Sequence, residues 1–139
     1  MNKKLITTLL SIILLFSISS SAFANTSRQT ADPISMNSSV SGALPQNTSH
    51  WYKWTNNTGS SVSFTALLQS PAGINYNLVM IHQTRFGTEI TIPASDMGPG
   101  QVDGVQGSHV APGETLFFQI SGNSSRDYGG YYVFYLQSP

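Results

Sequence analysis

Val62-Ser63-Phe64-Thr65-Ala66-Leu67-Leu68-Gln69 decides the fold of this chain. Apolar side chains fall at 62, 64, 66 and 68, with hydroxyls at 61, 63 and 65, so the period is two. That alternation belongs to a strand with one face in a core and the other in water. Upstream, Ile34, Met36, Val40 and Leu44 share one parity, and Tyr52 and Trp54 lie opposite Trp51 and Lys53. Downstream, Tyr76, Leu78 and Met80 alternate with Asn77, Val79 and Ile81, which predicts a central strand apolar on both faces near its end. Phe86, Ile90 and Ile92 form a further candidate; Leu116, Phe118 and Ile120 form another; Tyr132, Phe134 and Leu136 close the chain. No window beyond residue 24 carries a helical repeat.

Turn residues separate these segments. Asn56-Asn57-Thr58-Gly59 stands between two strands at a hairpin-like distance. Pro71-Ala72-Gly73, Met97-Gly98-Pro99-Gly100, Ala111-Pro112-Gly113 and Tyr128-Gly129-Gly130 mark other turns. Short alternating strands with turns at this spacing predict an all-β, antiparallel β-sandwich, jelly-roll-like, with seven or eight strands. Its core residues are Val62, Phe64, Leu78, Leu116, Phe118, Ile120, Tyr132 and Phe134. Residues 95–109 read as a long loop, with one edge strand near 102–105. Residues 25–33 read as a polar, disordered leader, and 34–139 as the sandwich domain.

The N-terminus carries an address. Lys3 and Lys4, an apolar run from Leu5 to Phe16, and Ala22-Phe23-Ala24 are the three parts of a secretory signal peptide over residues 1–24. The run is short for a membrane span, so a secreted protein beginning at Asn25 is expected. Beyond residue 24 the cations are Arg28, Lys53, Arg85 and Arg126, against six acids, a balance of −2. With no basic cluster, nucleic acid and anionic lipid are excluded as expected partners, and so is membrane insertion. The chain has no cysteine, so no disulfide supports the core. That, with the short Lys-Lys start, points to a bacterial source; a monomer is expected.

Signatures of catalysis are missing. There is no Gly-x-Ser-x-Gly elbow and no His-Glu-x-x-His, and the three histidines, His50, His82 and His109, are far apart. Ser108 and His109 are adjacent, which on a regular strand points them to opposite faces. Glu89 and Glu114 carry no mark of a glycosidase pair. Asp96, Asp103 and Asp127 lie in three loop regions that could gather around calcium, but no EF-hand-type loop is present. No enzyme, cofactor or metal site is expected.

Three stretches resemble the bacterial pre-peptidase C-terminal domain family. They are Gly42-Ala43-Leu44 followed by His50-Trp51-Tyr52-Lys53-Trp54; Asn75-Tyr76-Asn77-Leu78-Val79-Met80; and Pro112-Gly113-Glu114-Thr115-Leu116-Phe117-Phe118-Gln119-Ile120, with an aromatic strand over 131–136 behind them. The resemblance implies a small β-sandwich, here in a stand-alone version, of a kind that helps secretion or substrate contact of an attached protease. His50, Asn75 and Asn77 stand where the family has acids able to ligate calcium. Imidazole and amide groups make a poor site for a hard cation, so calcium is not expected to matter.

Aromatic residues supply the candidate site. Trp51, Phe117, Tyr131 and Tyr135 have the parity opposite to the core, so their rings are expected on outer faces. Flat exposed rings stack on sugars or anchor proteins. The expected function is a secreted, non-catalytic binding module for an extracellular polysaccharide, cell wall or protein. The alternatives are a secreted enzyme inhibitor or small hydrolase, and a secreted toxin or antimicrobial factor.

Overall fold

The structure is a computed structural model that describes residues 25–139. The expected signal peptide over 1–24 lies outside the described residues. Among those described, nine strands run in chain order: β1 Asp32–Pro33, β2 Ser38–Ala43, β3 Ser49–Thr55, β4 Val62–Gln69, β5 Tyr76–Gln83, β6 Glu89–Pro93, β7 Val102–Val110, β8 Thr115–Gly122 and β9 Tyr131–Gln137. Two sheets form, one in the order β1-β3-β8-β5-β6 and the other β2-β9-β4-β7. Pairing is nested: β5 with β6, β4 with β7, β3 with β8, and β2 with β9, all antiparallel. A long hairpin wound on itself gives this order, which is the jelly roll. The count exceeds seven or eight because the two-residue β1 adds a parallel rung on the edge of β3.

Parity places the core correctly. Phe64, Ala66, Leu68, Phe134 and Leu136 from one sheet meet Leu78, Met80, Leu116, Phe118 and Ile120 from the other, all buried. Phe118 lies edge-on to Phe64 at 6.3 Å and tilted to Phe134 at 5.1 Å between centroids, geometries that suit aromatic quadrupoles. Val62 is only half-buried, since it sits at the strand end beside a β-bulge.

Four readings are corrected by the fold. The segment 95–109 is mostly strand: β7 pairs with β4 from Val102 to Val110. Its periodicity is hidden because the inward positions Asp103, 1% exposed, Val105 and Gly107 include an acid and a glycine, and because Gly104 leaves an outer position without a side chain. A Cβ on Gly107 would come within 2.6 Å of the Phe64 ring, so only glycine fits there. The 56–59 turn does not close a hairpin, for β3 and β4 belong to different sheets. Asn56 shapes this arch instead, its buried amide bonding the carbonyls of Ser60 and Val110 and accepting from Thr58.

Phe86 is not a strand residue. It stands 83% exposed in the Thr84–Thr88 turn, and all of β6 is exposed. Finally, 25–33 is ordered. Ser27 caps a 3₁₀ turn over Arg28–Thr30, the carbonyl of Asn25 accepts from the amide of Trp51 at 2.8 Å, and β1 follows. Edge pairing with β3 holds this polar segment without an apolar stripe.

Candidate functional site

The four outward aromatics do not form one platform. Trp51 on β3 and Phe117 on β8 belong to the five-stranded sheet, whereas Tyr131 and Tyr135 lie on β9 in the other. Strand alternation sends the two pairs to opposite outer faces of the sandwich. Tyr131 is 76% exposed, and Tyr135 stands opposite Ser39 and Leu67 beside a shallow groove at Asn37–Ser39.

Phe117 is not available as a stacking surface. The Arg28 guanidinium sits 4.3 Å above its ring centroid and forms a two-pronged ion pair with Glu89 on β6. Those charge-assisted bonds hold the Glu89 carboxyl below the usual carboxylate range. Segment 26–30 is therefore a strap from the β3 edge across β8 to β6. Nothing periodic predicts this cover, because Arg28 and Glu89 lie 61 residues apart.

Trp51 remains accessible. Half-buried, it lines an open groove of about 710 Å³ with the strap residues 26–29, the turn residues Asn47 and Thr48, and Ser49, Ile81 and Gln119. Gln119 faces Trp51 across the β3–β8 ladder and donates to Ser49 Oγ at 3.2 Å. The only charged wall residue is Arg28, which Glu89 neutralises. An indole bordered by hydroxyls and amides, with no net charge, can stack on a pyranose ring and bond its hydroxyls.

A second groove was not legible in the sequence. It has a volume of about 520 Å³ at the end of β3 where the chain crosses from β1 to β2, and Trp54 lines it. Trp54 has core parity, yet it sits half-buried at the rim. No sequence signal marked it, since parity alone assigned it to the core.

Catalytic constellations do not assemble among the described residues. His50 is buried, its Nδ1 bonded to Tyr132 Oη at 2.7 Å; Tyr132 Oη also bonds Tyr52 Oη at 2.7 Å. Burial pushes both phenols up and the imidazole down. His82 pairs with Glu114 at 2.7 Å, and Glu114 also accepts from the Ala111 amide. That amide, and then His82, hold the Glu114 carboxyl below its ordinary value. Ser108 and His109 do meet, Oγ to Nδ1 at 2.8 Å, contrary to the expectation of opposite faces. A left-handed φ of 64° at His109 breaks the alternation. The pair is exposed and no carboxylate orients the imidazole.

The three acids Asp96, Asp103 and Asp127, of which Asp103 lies within β7 rather than a loop, act as staples. Asp127 accepts from the Asn75 amide at 2.8 Å and from Ser124 Oγ, Asp96 accepts from the Asn75 side chain, and Asp103 accepts from the Met97 amide. Burial pushes the Asp103 carboxyl up, while the Ser124 and Asn75 donors pull Asp127 down. Among the described residues no group of three or more His, Cys, Asp or Glu could hold a metal ion. Asn77 bonds Asn123, so the positions of the family's acids serve local packing here.

No protein-family model matches the chain, and no curated protein sequence matches it. Solved structures share its fold. The pre-peptidase C-terminal domain of a collagenase from Bacillus anthracis superposes with a TM-score of 0.58 at 17% identity, covering 76% of this chain and 93% of that one. The Yersinia pseudotuberculosis-derived mitogen gives a TM-score of 0.55 at 14% identity, covering 70% and 80%. At such identities the likeness is one of fold. No helix among the described residues is long and apolar enough to cross a membrane.

Proposed function

We propose that this protein is a secreted, non-catalytic module that binds an extracellular glycan on the Trp51 groove. The observation that carries the reading is the neutral, open concavity of about 710 Å³ with an indole in its wall and hydroxyl and amide groups around it. Export rests on the signal-peptide pattern of residues 1–24. Non-catalytic action is supported by the scattering of the histidines and by acids already committed to backbone amides. An inhibitor would present a projecting loop over 95–109, and most of that stretch is paired strand.

Trp51→Ala tests the reading. Stacking on an aromatic side chain contributes about 1–3 kcal/mol, a figure taken from nucleobases, so binding to a responsive polysaccharide should weaken by that amount. Trp51 lies outside the core, so the melting temperature should stay close to that of the parent protein. Lost stability without a binding defect, or no response in a polysaccharide panel, would overturn the proposal. In the latter case a protein target becomes the reading to pursue.

A further inference from the structure

The two ends of the strap meet in a polar cluster at the edge of the core. The Asn25 carbonyl accepts from the Trp51 amide at 2.8 Å, and Asp32 pairs in register with Tyr52, the next residue of β3. Asn25 and Asp32 therefore stand on the same edge of β3, about 3.3 Å or one residue step apart along it, with residues 26–31 looped out between them. Register partners on adjacent strands point to the same face, so the Asp32 carboxylate lies on the inner side with Tyr52. Its charge acts there on His50, Tyr52 and Tyr132. The Asn25 side chain reaches the same cluster, where it bonds the Tyr52 hydroxyl.

This cluster lacks a cation. Among the described residues Asp32 forms no ion pair. Arg28 is committed to Glu89, Arg85 and Arg126 lie in the turns after β5 and β8, and Lys53 takes the face of β3 opposite to Tyr52. His50 Nε2 is buried without a partner, while Nδ1 is bonded to Tyr132. A half-buried carboxylate beside buried hydroxyls and an unpaired imidazole nitrogen gains from a positive charge at its side. Asn25, 6% exposed, is also the residue before which a signal peptidase is expected to cut. The cut adds one water across the Ala24–Asn25 peptide bond. The acyl carbon of Ala24 leaves as a carboxylate, and the nitrogen of Asn25 keeps the protons as an ammonium at neutral pH. A positive charge thus arises on the edge where the side chains supply none.

We propose that the α-ammonium released at Asn25 pairs with the Asp32 carboxylate and locks the base of the strap, so that removal of the signal peptide completes the fold. The strap walls the Trp51 groove, so the same step finishes that groove. This assignment rests on the export reading above, and makes the new terminus a working part of the structure.

The test expresses the full chain in a secreting bacterial host and reads the N-terminus of the exported protein by mass spectrometry. The parent is compared with a form carrying two glycines inserted between Ala24 and Asn25, and with Asp32→Asn. The insertion moves the amine two residues away and leaves every described side chain in place. Each change should lower the melting temperature by at least about 4 °C, as loss of one charge-assisted pair does in a domain of this size. Each should also open the Arg28–Gln29 bond of the strap to trypsin. Asp32→Asn in the inserted form should add nothing further, because its partner has already gone. In the parent the α-amine should titrate above its ordinary range of about 7.7–8.0, and Asp32→Asn should return it there; this measurement does not need the inserted form to fold. A parent that begins anywhere but Asn25 overturns the pair together with the cleavage site it depends on. A parent that begins at Asn25, yet has an ordinary α-amine or melts and digests like the inserted form, overturns the pair and leaves export and the Trp51 reading standing. Further loss of stability on Asp32→Asn in the inserted form does the same.

Discussion

Removing a single hydroxyl from Tyr132 should cost more than its size suggests. Tyr132 is fully buried, and its Oη bonds both His50 Nδ1 and Tyr52 Oη at 2.7 Å. In Tyr132→Phe the Tyr52 hydroxyl keeps a partner, the side chain of Asn25, so its loss is that of one ordinary hydrogen bond, about 1 kcal/mol. His50 fares worse. Its Nε2 is already buried without a partner, and the substitution leaves the second nitrogen unpaired as well. A buried polar group stranded in this way costs about 1–3 kcal/mol. Together the change should remove roughly 2–4 kcal/mol, a large share of the 5–15 kcal/mol that holds a typical domain.

For a domain near this size about 1 kcal/mol shifts Tm by roughly 4 °C, so thermal denaturation followed by circular dichroism should show a drop of about 8–16 °C. A double-mutant cycle separates orphaning from simple loss of packing. If His50 is the stranded partner, His50→Leu in the Tyr132→Phe background should cost less than His50→Leu alone, with a coupling above about 0.5 kcal/mol. A drop below about 2 °C, or strict additivity in the cycle, would refute the network as a determinant of stability.

Two further outcomes follow from the same core. Gly107→Ala places a methyl group within 2.6 Å of the Phe64 ring and should cost about 1–3 kcal/mol, whereas Gly59→Ala meets nothing within 4 Å and should stay within about 0.5 kcal/mol in the same melt. Between pH 7 and 5 stability should fall: burial lowers the His50 imidazole from its ordinary 6.5 in the fold, so the unfolded chain takes up the proton first as pH drops through 6.5; His50→Gln should flatten this slope in urea denaturation series at the two pH values.

The strands legible in the sequence are those whose two faces differ chemically. In β4, β8 and β9 the inward positions are apolar and every second residue is not required to be, so parity alone finds Phe64, Phe118 and Phe134. β7 escapes because an inward acid, Asp103, an inward glycine, Gly107, and an outward glycine, Gly104, erase the contrast on which parity depends. Its place is set instead by the ring of Phe64 needing room at Gly107, a contact between residues 43 positions apart. The candidate site divides along the same line. Parity says that Trp51 and Phe117 face outward, and both do. It carries no information about what lies on top of a face. That is decided by segments 26–30 and 33–36, which lie outside the long strands: one lays Arg28 across Phe117 and walls the Trp51 groove, the other walls the groove at Trp54. A jelly roll leaves both outer faces bare by construction. The exposed surface that can recognise a ligand is therefore shaped by the irregular chain laid over the sheets, which is where single-sequence periodicity has nothing to report.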